Sequence, residues 1–306
     1  MQNKEICILG TASQVPTKKR NHVGVLLRWE DKFFLFDPGE GAQRQLIQFD
    51  LPVSRISKIF ISHFHGDHCL GLPGVIQRLS LSGVEHELEI YYPASGENFL
   101  NNLLHCASFY NRLNIKKNPV QEGGQIYAGQ GLQIQAGLLS HSLDCCGYRV
   151  QEPDSWTVQP HKLPPGFQGA LVGRLKEQGS IEFQGRTLRL TDVAVHKPGP
   201  SMAYILDTRF CASALQLARG ADLLVSEATY LESELQLAQK YGHLTASQAA
   251  ELAVLAEADR LVILHFSQRY HSLAGFWQEA SRIHSDLIVA KDGERVKLPE
   301  RKRQLA

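Results

Sequence analysis

The segment 62–68 (SHFHGDH) concentrates side chains that bind metal ions. Three histidines and one aspartate occupy six consecutive positions, directly after a run, 56–62, that is typical of a β strand. Imidazole and carboxylate groups suit Zn²⁺ and, less selectively, Mn²⁺ or Fe. A helix would not bring four such side chains to one point, whereas a tight turn at a strand end can, and Gly66 permits that bend without a Cβ clash. The residues concerned are His63, His65, Asp67 and His68.

Four ligands from one loop would crowd a single tetrahedral ion, so the pattern favours two ions with further ligands from elsewhere. Three candidates, His141, Asp207 and His265, each follow a predicted strand (132–139, 203–206 and 261–264). Strand ends at one edge of a sheet converge in space. Each of the three alone is also compatible with an ordinary buried polar residue. Together with the histidine cluster they predict a two-metal hydrolytic site.

The pattern H-x-H-x-D-H after a strand, followed by a separate His, Asp and His, resembles the metallo-β-lactamase superfamily. Further motifs resemble one of its families more closely, the ribonuclease Z family of tRNA 3′-processing endoribonucleases. The motifs follow the order in which that family carries them, which makes the set more specific than the metal motif alone. They are 16–21 (PTKKRN), 36–43 (FDPGEGAQ), 139–142 (LSHS), 206–209 (LDTR), 226–229 (SEAT), 242–245 (GHLT) and 265–270 (HFSQRY).

The resemblance implies a role for each candidate. One Zn²⁺ would take His63, His65 and His141, the other would take Asp67, His68 and His265, and Asp207 would bridge the two; Mn²⁺ or another divalent metal is an alternative. Asp37 would orient a ligand histidine or the strand-end loop, although a simple turn residue beside Pro38 and Gly39 is the competing interpretation.

The resemblance also implies catalytic roles for Asp67 as general base and for Glu227 and His243 as the pair that protonates the leaving oxygen. A carboxylate suits that pair because it fixes the imidazole tautomer and raises its pKa. Without the resemblance, Glu227 and His243 would be an unremarkable strand-end Glu and helix-start His. The chain departs from the family at Leu206, Ser226 and Leu244, where Gly, His and Ser are frequent, but no implied ligand or proton donor is lost.

Two segments are candidates for contact with substrate. The resemblance implies that Lys18, Lys19 and Arg20 lie near the scissile bond, where basic side chains suit phosphates, and Asn21 is a substrate-binding candidate in the same loop. The segment 151–200, rich in Pro, Gly and charged residues, stands where the family carries a flexible tRNA-binding arm, and Pro165 and Gly166 match the arm's Pro/Gly-rich stretch. Acidic residues offset the basic ones in this segment, so a mobile surface hairpin is the alternative.

The composition is that of an ordinary globular protein, with 306 residues, 43% hydrophobic and 21% charged. Lys plus Arg number 32 against 31 Asp plus Glu, so a polyanion must bind at a local patch or a metal and not through overall charge. No apolar run approaches the ~20 residues of a membrane span. The first residues lack a signal-peptide core, which predicts a cytoplasmic protein. The six cysteines form no C-x-x-C pair and are predicted to be buried thiols.

Strands and helices are predicted to alternate along most of the chain, including helices at 99–109 and from the capping-box sequence 245–248 onwards. This order indicates an α/β protein. The resemblance implies a four-layer αβ/βα sandwich, with 1–306 forming one metallo-β-lactamase domain and 151–200 inserted in it as the arm.

The function implied by the resemblance is removal of the 3′ trailer from precursor tRNA, which leaves a 3′-hydroxyl on the tRNA and a 5′-phosphate on the trailer. The family further implies a homodimer whose arm reaches tRNA at the partner's site, without membrane contact. Two alternatives remain open at this point. One is a hydrolase of small phosphodiesters or other esters on the same fold, and the other is an RNA-binding protein with a dead site.

Overall fold

The computed structural model describes residues 3–299. Its first half supplies six strands of a seven-stranded sheet with helices along one face, and Arg295–Lys297 adds the seventh strand. Apolar strands such as Lys32–Phe36 are buried along nearly their whole length because both faces of the sheet are covered. The elements, in chain order, are β1 (Lys4–Gly10), β2 (Gly24–Trp29), β3 (Lys32–Phe36), α1 (Ala42–Gln48), β4 (Ile56–Phe60), α2 (Gly66–Cys69), α3 (Leu72–Leu81), β5 (Leu88–Pro93), α4 (Glu97–Leu104) and β6 (Ile115–Val120).

The second half builds another seven-stranded sheet, interrupted after its third strand by the arm. The elements continue with β7 (Gly124–Gly129), β8 (Leu132–Leu139), β9 (Cys145–Gln151), β10 (Ser155–Val158), α5 (Ala170–Gln178), β11 (Ser180–Phe183), β12 (Arg186–Arg189), α6 (Leu190–Val193), β13 (Ala194–Lys197), β14 (Ser201–Ile205), α7 (Ala212–Ala218), β15 (Leu223–Glu227), α8 (Leu235–Tyr241), α9 (Ala246–Leu255), β16 (Arg260–Leu264), α10 (Ala274–Ala280), β17 (Leu287–Val289) and β18 (Arg295–Lys297). Spatial orders are β18-β1-β2-β3-β4-β5-β6 and β17-β16-β15-β14-β9-β8-β7.

The two sheets pack face to face on a buried aromatic core. Phe36 and Phe60 from the first sheet stack at a centroid distance of 4.7 Å, and Tyr148 and Tyr204 from the second sheet pack against them. Helices α1, α3 and α4 cover the outer face of the first sheet, and α7, α9 and α10 cover that of the second. The predicted four-layer αβ/βα sandwich is therefore confirmed.

Strand direction brings the chemically active loops to one edge. Strands β3 and β4 run parallel, as do β14, β15 and β16, so their carboxyl ends point the same way. The loops after these strands and after β8 carry the metal-binding candidates. The parallel arrangement is therefore what gathers residues that lie far apart in sequence.

Two local predictions need correction. The cluster 62–68 is not a turn alone, because α2 begins directly after His65, and Leu70 donates its N–H to the Gly66 carbonyl oxygen. One helical turn thus presents Asp67 and His68, while the extended residues before it present the other histidines. The helix predicted at 99–109 ends at Leu104, beyond which 105–114 has no regular structure.

The inserted arm has its own structure instead of being a simple hairpin. It contains two two-stranded sheets, β10 with β13 and β11 with β12, and the helices α5 and α6. Strand β9 continues to Gln151, so the arm leaves the body at Glu152 and returns at β14. Its elements of four residues are too short to show periodicity in the sequence. A separate apolar core holds them together, formed by Phe167, Leu175, Ile181, Leu190, Val193 and Ala194.

Three further predictions concern the rest of the chain. Four of the six cysteines are buried free thiols, but Cys106 is exposed and Cys211 is half-buried, so the prediction of buried thiols is wrong for these two. Between residues 3 and 299 no helix combines the length and the apolar character that a membrane span requires. The sequence also predicts a solvated basic segment at 301–303, which lies outside the described residues.

Candidate metal centre

The structure brings four of the seven predicted ligands into a first group. The Nδ1 atom of His65 lies 2.8 Å from Nε2 of His63 and 3.3 Å from Nε2 of His141. The Oδ2 atom of Asp207 lies 3.6 Å from His63 Nε2 and 3.7 Å from His141 Nε2. These four atoms surround one point, as the ligands of one ion would.

The remaining ligands form a second group on the other side of Asp207. The Nε2 atoms of His68 and His265 are 3.2 Å apart, and Oδ2 of Asp67 lies 3.5 Å and 3.4 Å from them. The Oδ1 atom of Asp207 lies 3.2 Å from His265 Nε2 and 3.5 Å from His68 Nε2. One carboxylate thus presents an oxygen to each group, which is the geometry of a bridging ligand.

Three residues of the centre occupy the left-handed backbone region within two residues of a strand end. The φ angles are 44° at Asp37, 48° at Asp207 and 66° at His265. This conformation is uncommon outside glycine, and such strained residues cost on the order of 1–3 kcal/mol each. The turn it produces redirects each side chain from the sheet into the centre, so local strain is the means by which these strand ends present their ligands.

Hydrogen bonds fix the tautomers of two ligand histidines. The Nδ1 atom of His141 lies 2.9 Å from the carbonyl oxygen of Gly242, and Nδ1 of His68 lies 2.9 Å from Oδ2 of Asp37. Both partners can only accept, so each Nδ1 carries the proton. The Nε2 lone pairs of these rings therefore point into the centre, as metal coordination requires.

The other two rings are oriented through hydroxyl relays. The Ser62 hydroxyl donates to Asp37 at 2.7 Å and so accepts from Nδ1 of His63 at 3.0 Å. The Thr229 hydroxyl donates to Oε2 of Glu227 at 2.6 Å and so accepts from Nδ1 of His265 at 2.9 Å. Each relay ends on a buried carboxylate, which leaves both Nε2 atoms as acceptors facing the centre.

The residues present fit a pair of divalent cations. The inward Nε2 lone pairs of His68 and His265, 3.2 Å apart, cannot hydrogen-bond to each other, because the Nδ1 atoms of both rings carry the protons. The Oδ1 atom of Asp207 is buried without a hydrogen-bond partner, which is costly unless a cation binds it. Nitrogen and carboxylate donors of this kind match Zn²⁺ and accept Mn²⁺. The donor set therefore supports a metal centre.

The electrostatics keep the carboxylates ionised. Burial opposes ionisation, but the histidines around Asp67 and Asp207, with His68 and His265 foremost, lower the pKa of both carboxyl groups. Burial lowers the pKa of His63, with the neighbouring His68 adding to the effect. At His68 burial is outweighed by the carboxylates of Asp207 and Asp67, which raise the pKa of the ring. A metal ion would displace the proton of this ring, because an ionised carboxylate and a neutral imidazole are the forms that bind a metal.

A Glu–His pair stands beside the first group. The Nδ1 atom of His243 lies 3.1 Å from Oε2 of Glu227, whose side chain is fully buried. Backbone N–H groups of Thr208 (2.6 Å) and Leu244 (3.1 Å) also donate to this carboxylate and hold it in place. Burial opposes the charged ring, but Glu227 and then Asp207 raise the pKa of His243 to about 9. His243 can therefore carry a proton near pH 7.

Asp67 is better placed as a ligand than as a free base. The backbone N–H of Gln14, a residue at φ 49°, donates to Oδ2 of Asp67 at 2.7 Å, the same oxygen that faces His68 and His265. A hydrogen bond to a carboxylate stabilises its charged form and lowers its affinity for a proton. The general-base role of Asp67 stays a prediction.

Comparison with known proteins identifies the family. The family model described as "Beta-lactamase superfamily domain" matches residues 175–266, and the model "Anti-Pycsar protein Apyc1" matches residues 4–112. The chain is 44% identical to "Ribonuclease Z" of Nocardia farcinica over 99% of this chain and 100% of that protein. The chain belongs to the ribonuclease Z family. It is 42% identical to "Ribonuclease Z" of Salinispora arenicola, over 99% of this chain and 98% of that protein.

Solved structures agree with the assignment to ribonuclease Z. The chain matches the short form of human tRNase Z with a TM-score of 0.69 and 26% identity, over 97% of this chain and 100% of that one. A metallo-β-lactamase fold protein from Bacillus subtilis, YhfI, has the same TM-score at 19% identity, covers 96% of this chain and 98% of its own, and supports the fold alone. The chain is thus an endoribonuclease with the metallo-β-lactamase fold.

The predicted substrate residues have diverse environments. Lys18 and Lys19 are exposed, whereas Arg20 donates to the carbonyl oxygen of Ser267 at 3.1 Å beside the ligand strand β16. The Asn21 side chain donates to the Glu40 carbonyl oxygen at 2.9 Å, so its amide group holds a loop of the protein itself. Pro165 and Gly166 lie in the arm, where Gly166 has φ 80°. Substrate contact by these residues stays a prediction.

The sequence motifs did not single out several supporting residues. Ser62, Thr229 and Tyr204 hold the carboxylates or rings that orient ligands. The first two lie inside motifs already recognised, directly before His63 and two residues after Glu227. Tyr204 lies within β14, and nothing in the sequence distinguishes it from a core residue. Its bond to Asp37 appears only when the two sheets are packed.

Proposed function

We propose that this protein is a zinc-dependent endoribonuclease that removes the 3′ trailer from precursor tRNA. The products would be a 3′-hydroxyl on the tRNA and a 5′-phosphate on the trailer. The observation that carries the proposal is the double ligand set around Asp207, with the Glu227–His243 pair directly beside it. The relatives named ribonuclease Z support the same substrate class.

One ion would be held by His63, His65, His141 and Asp207. The other ion would be held by Asp67, His68, His265 and Asp207. Two divalent ions held there would lower the pKa of a water molecule and neutralise phosphodiester oxygens as charge builds up on them. The protein contributes a rigid cage, since each ligand ring except His65 is held by a hydrogen bond from its outer nitrogen. Preorganised ligands of this kind avoid reorganisation during the reaction.

The proton for the leaving group would come from His243. Hydrolysis that yields a 3′-hydroxyl makes the O3′ atom of the tRNA the leaving group, and this oxygen needs a proton as its bond to phosphorus breaks. The His243 ring is partly accessible, with its side chain 12% exposed, while its Nδ1 faces buried Glu227. Nε2 is thus the nitrogen available to donate, and Glu227 stabilises the ring while it is charged.

Substrate binding would draw on two basic surfaces. Lys18 and Lys19 are exposed on a loop that is bonded to Asp67 through Gln14, so they lie on the same side as the centre. The arm carries further exposed cations, and we propose that it binds the tRNA body, in a homodimer within the cytoplasm. These exposed arm residues are Lys162, Arg174, Lys176, Arg186 and Arg189.

The experiment is cleavage of a 3′-extended precursor tRNA by chelator-stripped protein before and after Zn²⁺ or Mn²⁺ is returned, with both product ends mapped. We expect cleavage only after metal is returned, with a 3′-hydroxyl on the tRNA fragment. Metal-loaded protein that hydrolyses bis(p-nitrophenyl) phosphate but leaves the precursor intact would instead favour the small-ester alternative. Competition tests the same point, because bound precursor at micromolar concentration should inhibit hydrolysis of the small substrate.

A further inference from the structure

The arm leaves and re-enters the body through two adjacent segments, 152–158 and 194–200, which we call its root. The Glu152 carboxylate in this root contacts the first sheet. Glu152 is the first residue after β9, and its Oε1 atom accepts from the indole Nε1 of Trp29 at 2.9 Å and from Nζ of Lys4 at 2.7 Å. Lys4 begins β1 and Trp29 ends β2, in the sheet opposite the one from which the arm emerges. The contact therefore crosses the sandwich.

The partners of Glu152 are buried, which makes this contact stronger than a surface ion pair. Trp29 is 1% exposed and the Lys4 side chain 3% exposed, whereas Glu152 keeps 31% exposure. The Lys4 ammonium also lies 5.3 Å from the Trp29 ring centroid and 3.6 Å from a Glu30 oxygen. A buried ammonium and a buried indole N–H both need an acceptor. Glu152 satisfies both at once, so its position is strongly specified.

Hydrogen bonds and close contacts join the two chains of the root around Glu152. The backbone N–H of Glu152 donates to Pro200 at 2.9 Å, which joins the outgoing and returning chains. A Cβ at Gly199 would lie 2.0 Å from the Glu152 carbonyl oxygen, so the two chains are in direct contact. Asp154 accepts from Gly199 N–H at 3.0 Å and lies 2.9 Å from Nε2 of His196. A displacement of Glu152 would therefore move both strands of the root together.

We propose that Lys4, Glu152 and Trp29 form a clamp that sets the direction in which the arm projects. The arm's own core does not include residues of the body, so the root determines where the arm's cations stand relative to the metal centre. Glu152 is thus a positioning residue for the substrate, and this consequence rests on the proposed function. Releasing the clamp spreads the arm over several orientations, and the apparent affinity falls with the competent fraction.

The first test needs no RNA. Hydrogen exchange by mass spectrometry compares Glu152→Ala with the wild type and with Glu177→Ala, which removes the same charge from the exposed surface of α5. We expect about five-fold faster exchange in the root segments 152–158 and 194–200, with the arm core around Leu175 unchanged. Lys4→Met should also accelerate exchange in the root segments. Agreement between the two variants would exclude a defect that is specific to one of them. Unchanged root exchange in both variants would overturn the clamp.

The second test separates binding from chemistry. For Glu152→Ala we expect KM for a 3′-extended precursor tRNA to rise about five-fold, with kcat and the hydrolysis of bis(p-nitrophenyl) phosphate unchanged, and with Glu177→Ala close to the wild type. An unchanged precursor KM despite faster root exchange would overturn the positioning role. A wild type that does not cut precursor at all would refute the proposed function instead, while the exchange result would still decide the clamp.

Discussion

The Oδ2 atom of Asp37 lies 2.9 Å from Nδ1 of His68, a ligand of the second group. The same carboxylate accepts from the backbone N–H of Ser62 at 2.6 Å and from its hydroxyl at 2.7 Å, and that hydroxyl accepts in turn from His63 of the first group. Tyr204 donates to it from the other sheet at 3.0 Å. One buried carboxylate thus orients a ligand of each group.

Replacing Asp37 should therefore weaken metal binding at both positions. Loss of such a supporting carboxylate typically costs about 10–100-fold in metal affinity, and in Asp37→Ala both His63 and His68 lose orientation. Competition with a chromogenic chelator gives the affinity for Zn²⁺ directly, without reference to catalysis. Asp31→Asn, at an exposed turn between β2 and β3, is the matched control and should bind as the wild type does. Full-affinity binding by Asp37→Ala would show that the carboxylate does not orient the ligands.

His243→Ala should keep its metal and lose rate. Its nearest polar partner is Glu227, and it lies 3.9 Å from Asp207, so removing the ring leaves all seven proposed ligands in place. Proton transfer by a positioned side chain contributes about 10²–10⁴-fold, and kcat should fall within that range. Elemental analysis and single-turnover cleavage of precursor tRNA measure the two quantities on the same preparation. The exposed His271→Ala is the control, and loss of metal from His243→Ala would mean that His243 is a ligand.

Lys18→Ala/Lys19→Ala should weaken precursor binding and flatten its salt dependence. Two lost phosphate contacts on single-stranded RNA reduce the slope of log affinity against log salt by about 1.4. Filter binding across a salt series, with catalysis stopped by metal removal, gives that slope. Lys116→Ala/Lys117→Ala on β6 removes equal charge from another exposed segment. Equal slopes for the two double variants would show that the loop makes no specific phosphate contact.

Thr245→Ala should destabilise the protein close to the Glu227–His243 pair. Thr245 caps α9 by accepting from Gln248 N–H at 3.2 Å, while the Gln248 side chain accepts from Thr245 N–H at 3.1 Å. Loss of such a cap costs about 0.5–2 kcal/mol in the free energy of unfolding. Urea denaturation at fixed metal concentration measures the change, and Thr245→Ser, which retains the hydroxyl, should stay near the wild type. Equal loss in both variants would point to packing of the methyl group instead.

The proposed metal ligands are predictable from the sequence because their side chains are chemically distinctive and follow recognisable strands. Asp207 and His265 stand out only together with the cluster at 63–68, and the parallel strands gather them with His63 in the fold. The residues that orient these ligands are harder to predict. Tyr204 and Gln14 act through a hydroxyl and a backbone N–H, groups that nearly every protein presents in many places, so only packing selects them.

The structure of the arm could not be predicted from the sequence, for a different reason. Its short elements carry no clear periodicity, and its Pro and Gly residues are typical of irregular structure. The small core around Phe167 and Leu175 forms because the apolar residues come together across several turns, a non-local relationship. The clamp at Glu152 is non-local as well, since it joins residues of three different strand ends.

The most direct test of the metal centre is anomalous diffraction at the zinc edge from crystals of the zinc-loaded protein. Two peaks are expected on either side of the Asp207 carboxylate, one within about 2.0–2.2 Å of ligand atoms from His63, His65 and His141, and the other at similar distances from Asp67, His68 and His265. Peaks coordinated by other residues, a single peak, or no peak at this edge of the sandwich would contradict the bridged two-metal centre.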